Sequence, residues 1–188
     1  MTFYALAVFI HVCAVLVLFA ALSVELLSLY RLRRATTLTE ALAWIEPVPR
    51  LPIIVAGSGL VTLFSGGYLA MRMSAFGLAW PKVAVAAFFL MAPLGSVTGK
   101  RVQAIRQACT NATAISGELL NRLRDPFLKI SLSIRISIFL AVVLLMGAKP
   151  GVWNSIGIVG TFVVFGALAS LPGLRRAALS PPHTDLGR

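Results

Sequence analysis

The stretch DPFLKISLSIRISIFLAVVLLMGAKPG, residues 125–151, decides the fold. Asp125 is an N-cap residue and Pro126 suits the first helical position. Lys149-Pro150-Gly151 places a cation in the last turn, followed by two residues that stop a helix. The run between them is apolar, and about 20 such residues at 1.5 Å each cross roughly 30 Å of hydrocarbon. It reads as a membrane span carrying one deeply placed charge, Arg135.

Four more segments pass the same test, giving an all-α, polytopic transmembrane helix bundle with spans at about 3–29, 51–71, 81–99, 126–148 and 152–171. Together they form a transmembrane domain over residues 1–173. Residues 174–188 read as a basic, disordered tail. Composition agrees: of 188 residues 59% are apolar and 12% charged, against about a quarter charged in ordinary soluble domains. That excludes a soluble single domain and a disordered chain. The N-terminus lacks a basic n-region, and its apolar run is too long for a signal peptide, so it reads as a retained first span.

The net charge of +11 invites a nucleic-acid reading, which needs a basic face with aromatics to stack on bases. Here the cations cluster at span ends instead, which argues against a nucleic-acid partner. Arg31, Arg33, Arg34 and Arg50 follow the first span. Lys100, Arg101, Arg106, Arg122, Arg124 and Lys129 follow the third, and Arg175, Arg176 and Arg188 lie in the tail. Thirteen cations thus fall on one side against Arg72, Lys82 and Lys149 on the other. The positive-inside rule predicts an external N-terminus and a cytoplasmic C-terminus, in a multi-pass protein of the cell inner (plasma) membrane.

The basic connections carry pattern of their own. Thr37-x-x-Glu40 has capping-box spacing, and Leu38, Leu42 and Ile45 recur at helical spacing. Val102, Ile105, Leu119 and Leu123 alternate with Arg and Asn, a basic amphipathic pattern suited to anionic phospholipid headgroups. The same pattern also fits a continuation of the third span. Asn111-Ala112-Thr113 matches a glycosylation sequon that would be idle on the cytoplasmic side. Cys13 and Cys109 fall in separate regions and offer neither a CxxC motif nor a metal site.

Ionisable residues inside a span are costly, so His11, Glu25 and Arg135 are the candidates for chemistry, with Lys82 at a boundary. His11 and Glu25 are about 21 Å apart along one helix and cannot touch. Glu25 and Arg135 lie at matching depth from the basic side, which suits an ion pair; snorkelling of Arg135 and a proton or ion relay are the alternatives. On the external side His11, Arg72, Trp80 and Lys82 form a second candidate set, in which His11 could ligate haem while Lys82 or Arg72 meets an anionic group. The plain reading makes His11 a packing residue, with Trp80 and Lys82 as interfacial anchors. Ser58, Thr62 and Gly66, and again Gly157 and Thr161 followed by Gly166 and Ser170, recur every four residues and allow close helix approach. Pro93 predicts a kink in the third span. No metal site is expected, and a second copy or another membrane subunit is the expected protein partner. A small transporter or channel is less favoured, because no acidic residue lies near the midplane and no inverted repeat is apparent.

These residues resemble a widespread bacterial family of small predicted integral membrane proteins of unknown function. The likeness is carried by His11, Ser65-Gly66-Gly67-Tyr68, Trp80 with Lys82, and the stretch from Asp125-Pro126 through Ser131, Arg135 and Met146 to Lys149-Pro150-Gly151. More distantly, a histidine in the first span and a lysine opening the third look like the HemJ-type protoporphyrinogen oxidases, a resemblance that implies haem and an oxidase activity. The first span here has neither the Trp nor the Leu-Pro-Arg ending of that family. The leading expectation is a helix-packing or auxiliary membrane component. Its rival is a haem-dependent membrane oxidoreductase using His11.

Overall fold

A computed structural model describes residues 3–112 and 117–178. Among these residues the chain is helical, in the order α1 (Phe3–Leu32), α2 (Leu38–Ile45), α3 (Leu51–Arg72), α4 (Ala79–Asn111), α5 (Gly117–Leu123), α6 (Pro126–Ala148) and α7 (Val152–Ala178). Short 3₁₀ turns at Val48–Arg50 and Ala75–Gly77 lead into α3 and α4. The helices α1, α3, α4, α6 and α7 are each long and apolar enough to cross a membrane, which makes the chain a multi-pass membrane protein. Their outer faces carry Ile53, Phe64, Phe89 and Phe165, all more than half exposed, as lipid-facing surfaces require.

The helix ends follow local chemistry. The Asp125 carboxylate accepts from the Phe127 N–H at 2.9 Å and opens α6. At the other end Lys149 is not in the last turn but is itself the cap, in the left-handed region at φ 48°. Lysine thus stands where glycine is usual, and Pro150, which cannot continue the helix, follows it. Thr37 Oγ1 accepts from the Glu40 N–H at 3.3 Å, while the Glu40 carboxylate accepts from the Thr36 N–H at 3.2 Å. The reciprocal bond of the capping box therefore lands one residue earlier than the motif places it.

In the bundle α1 packs along α3, and α6 lies between α4 and α7. A smaller contact joins α1 to α6. Leu18, Leu22, Ala87, Met91, Ile138 and Phe139 fill the middle. The end where the Arg and Lys residues gather, called here the basic end, holds the largest core cluster.

Two expected span ends change. The first concerns α4, which runs to Asn111 instead of stopping near Gly99. Its extension buries Val102, Ile105 and Cys109 against neighbours that include Ala41 and Ile45 of α2 and Leu119 and Leu123 of α5. The amphipathic stripes of this region thus face one another within the chain. Each fully buried Leu, Ile or Val contributes about 1.5–3 kcal/mol. Secondly, α7 passes through Pro172-Gly173 to Ala178. A proline removes one backbone donor, a loss that long membrane helices absorb. Residues 174–178 of the expected tail therefore belong to a helix, and the remainder, with His183, lies outside the described residues. Trp80, at the start of α4, is buried against Ala70, Ala75 and Met146. Pro93 lies within the continuous α4, and its carbonyl accepts from the Ser96 hydroxyl at 2.9 Å.

Candidate functional site

Among the described residues the most deeply buried charges are Glu25 on α1 and Arg135 on α6, at 5% and 3% exposure. Arg135 Nη1 donates to Glu25 Oε1 at 2.7 Å. The guanidinium lies over Gly95 of α4, where an added Cβ would meet Cζ, Nε and Nη2 at 3.5–3.7 Å. One contact thus joins three helices. The pairing is one-pronged, because the buried Nε of Arg135 has no hydrogen-bond partner. A hydroxyl set flanks it one turn toward the basic end. Thr98 Oγ1 donates to the Leu94 carbonyl at 2.8 Å, and Ser131 Oγ has one proton for either Thr98 Oγ1 at 2.8 Å or the same carbonyl at 3.2 Å. The Ser131 hydroxyl thus ties α6 to α4 by a hydrogen bond between helices.

His11 sits at the other end of α1, half-buried against α3. Its Nδ1 is 3.0 Å from Ser65 Oγ. Ser65 has one proton and donates it to the Val61 carbonyl at 2.6 Å. His11 Nδ1–H is then the donor to Ser65, and Nε2 keeps its lone pair. The ring edge packs on Gly66, where an added Cβ would come within 3.0 Å of Cε1.

Gly66 of α3 thus lies against the Cε1–Nδ1 edge of the ring, on the side away from Nε2. Arg72 and Lys82 are both exposed. Arg72 lies seven residues past Ser65, about 10 Å further along α3. Among the described residues, the polar contact of His11 is to Ser65, and no hydrogen bond or ion pair joins it to Arg72 or Lys82. The purified chain is expected to be colourless when made in haem-replete cells. A Soret band that disappears in His11→Ala would overturn this reading.

The small residues divide into two groups. Ser58 and Thr62 are buried on α3, and the Ser58 hydroxyl returns to the Ile54 carbonyl at 2.7 Å. The Thr62 hydroxyl is buried without a partner. Gly59 admits Phe88 of α4 so closely that an added Cβ would be 2.5 Å from its Cζ. On α7, Gly166 and Ser170 face inward, whereas Gly157 and Thr161 are exposed. Nothing lies within 4 Å of a Cβ added at Gly157. Nine residues separate Gly157 from Gly166, which turns a helix by about 180°. The two small pairs thus occupy opposite faces, and within this chain only the second packs.

One feature has no counterpart in the sequence reading. A groove between α1 and α7, floored by α6, ends at Arg33, Arg34, Arg124 and Lys129. These residues had been counted only as orientation signals, because they are scattered over nearly 100 positions and meet only through the fold. Burial lowers the pKa of Arg33; nearby Asp125 opposes that shift and Arg124 adds to it.

Among the described residues, no group of three or more His, Cys, Asp or Glu gathers as a metal site would require. No family model, curated protein or solved structure matches the chain.

Proposed function

We propose that this chain is a helix-packing, auxiliary component of a bacterial inner membrane, with its N-terminus outside and its basic end and C-terminus in the cytoplasm. The observation that carries this is the Glu25–Arg135 contact over Gly95, which uses these two deeply buried charges to hold three helices together. His11, the only histidine among the described residues, is likewise engaged with a neighbouring helix, through Ser65. The intramembrane polar groups therefore act as ties between helices. The orientation follows from the cation distribution of thirteen against three.

Assembly with a second copy or another membrane subunit would use the outward face of α7 at Gly157 and Thr161, where a foreign helix could approach closely. Two measurements test the reading. A reporter active only inside the cytoplasm should be active when fused after Arg188, and an inverted result overturns the topology. Native mass spectrometry in mild detergent should show an assembly that Gly157→Leu dissociates. A wild-type chain that is only ever monomeric overturns the assembly.

A further inference from the structure

We propose that the groove between α1, α6 and α7 binds one membrane lipid with an anionic, phosphate-bearing headgroup. The cavity is about 710 Å³, within the ~300–1,000 Å³ range of small-molecule sites. Its walls are apolar along their length: Leu26 on α1, Leu132, Ile136 and Leu140 on α6, and Phe162 and Phe165 on α7. The serines on the floor do not change that character, since Ser133 turns its hydroxyl away to the Gly166 carbonyl at 2.7 Å.

The mouth has the opposite chemistry. Arg33, Arg34, Arg124 and Lys129 converge there, and among the described residues none forms an ion pair, the Asp125 carboxylate near Arg33 being bonded to Arg101. The ion pairs present are Arg101–Asp125, Arg122–Glu118 and Arg135–Glu25. Arg33 reaches only the Asp125 carbonyl, at 3.0 Å, and Lys129 only the Ser170 carbonyl, at 3.1 Å. Arg34 lies over the Tyr30 ring, 4.4 Å from its centroid. Four positive charges at one mouth repel one another, and a phosphate with several acceptor oxygens relieves that repulsion while fitting the guanidinium fork.

Length and access select a lipid over a soluble anion. From Lys129 to Leu140 the groove follows α6 for eleven residues, about 16 Å. That is about half of a ~30 Å hydrocarbon core, the depth of one leaflet. A soluble anion would use only the mouth, and a neutral lipid only the walls. The groove also opens sideways, with Leu26 49% and Phe165 68% exposed on its edges, so an acyl chain enters from the bilayer without crossing water. Tyr30 stands at the mouth, the level where interfacial aromatics meet headgroups.

The test uses the full chain in mild detergent and native mass spectrometry with phosphatidylglycerol, phosphatidylcholine of the same acyl chains, and inorganic phosphate. One phosphatidylglycerol should be retained per chain in preference to phosphatidylcholine. Arg124→Gln with Lys129→Gln should weaken retention roughly 30-fold, from about 1 kcal/mol per cation. Ala169→Trp, which fills the groove and leaves every cation in place, should abolish retention; Leu140→Trp serves if that variant fails to fold by circular dichroism. Equal retention of phosphatidylcholine overturns the proposal. So does undiminished phosphatidylglycerol retention in the groove-filled variant, which would mean that surface charge alone attracts the lipid. Displacement of the lipid by inorganic phosphate at about millimolar concentration overturns it as well, because the occupant would then be a free anion.

Discussion

Arg135→Met is expected to destabilise the bundle by about 3–5 kcal/mol, the usual cost of removing one partner from a buried ion pair. The reason is the carboxylate left behind. Glu25 is 5% exposed and accepts its ion-pair bond from Arg135 Nη1 at 2.7 Å, so the variant strands a charge, or forces its neutralisation, in an apolar interior. Glu25→Met should cost a comparable amount, because an unpaired Arg at mid-span is disfavoured by about 2.5–3.5 kcal/mol on the insertion scale. The double variant Glu25→Met with Arg135→Met should recover most of the loss. The pair is one-pronged and leaves Arg135 Nε unpartnered, so its own net contribution is small, and apolar side chains of similar size often replace such pairs without penalty. Reversible unfolding of the four proteins in mixed micelles measures the cycle. A single variant costing under about 1 kcal/mol would mean that water reaches the site, and a double variant as damaged as the singles would mean that the charges have a role beyond pairing.

The depth count that puts Glu25 opposite Arg135 uses only 1.5 Å of rise per residue and a shared direction of entry, and the structure has the two in contact. Five apolar runs were legible for the same reason, since hydrocarbon thickness sets their length. What the sequence left open is rotation about each helix axis. The place of Gly95 beneath the guanidinium, Phe88 against Gly59 and Trp80 turned inward all depend on which face meets a neighbour, and a mean hydropathy carries no such phase. The extension of α4 through Asn111 was ambiguous for a related reason. An amphipathic stripe made of Val102 and Ile105 is equally satisfied by a lipid surface and by α2, and only the fold decides between them. The basic groove is the extreme case: Arg33 and Lys129 are nearly 100 residues apart, and no local pattern joins them.

Rotation was nevertheless partly readable on α7, and Gly166→Ala against Gly157→Ala turns that into a measurement. A Cβ at Gly166 would lie 2.5 Å from Ser137 Oγ and 3.0 Å from both Ser137 Cβ and the Ser133 carbonyl oxygen. Rotating the serine hydroxyl clears the first of these contacts. The other two involve atoms that move only with the α6 backbone, so α6 and α7 must separate, and the bond from Ser133 Oγ to the Gly166 carbonyl at 2.7 Å lengthens with them. Overpacking of this kind costs about 1–3 kcal/mol, and interhelical hydrogen bonds in membranes average about 0.6 kcal/mol. Gly157 has open space around it within the chain, so in the dissociated monomer alanine there should stabilise the helix by up to about 1 kcal/mol through propensity alone. The two substitutions are the same in chemistry and should differ in sign. Adding Ser137→Ala to Gly166→Ala should recover only part of the loss, because it removes Oγ and leaves Cβ and the backbone contact in place. Full recovery would show that the hydroxyl alone sets the separation of α6 and α7, and equal effects at Gly157 and Gly166 would show that α7 has no fixed rotation against α6.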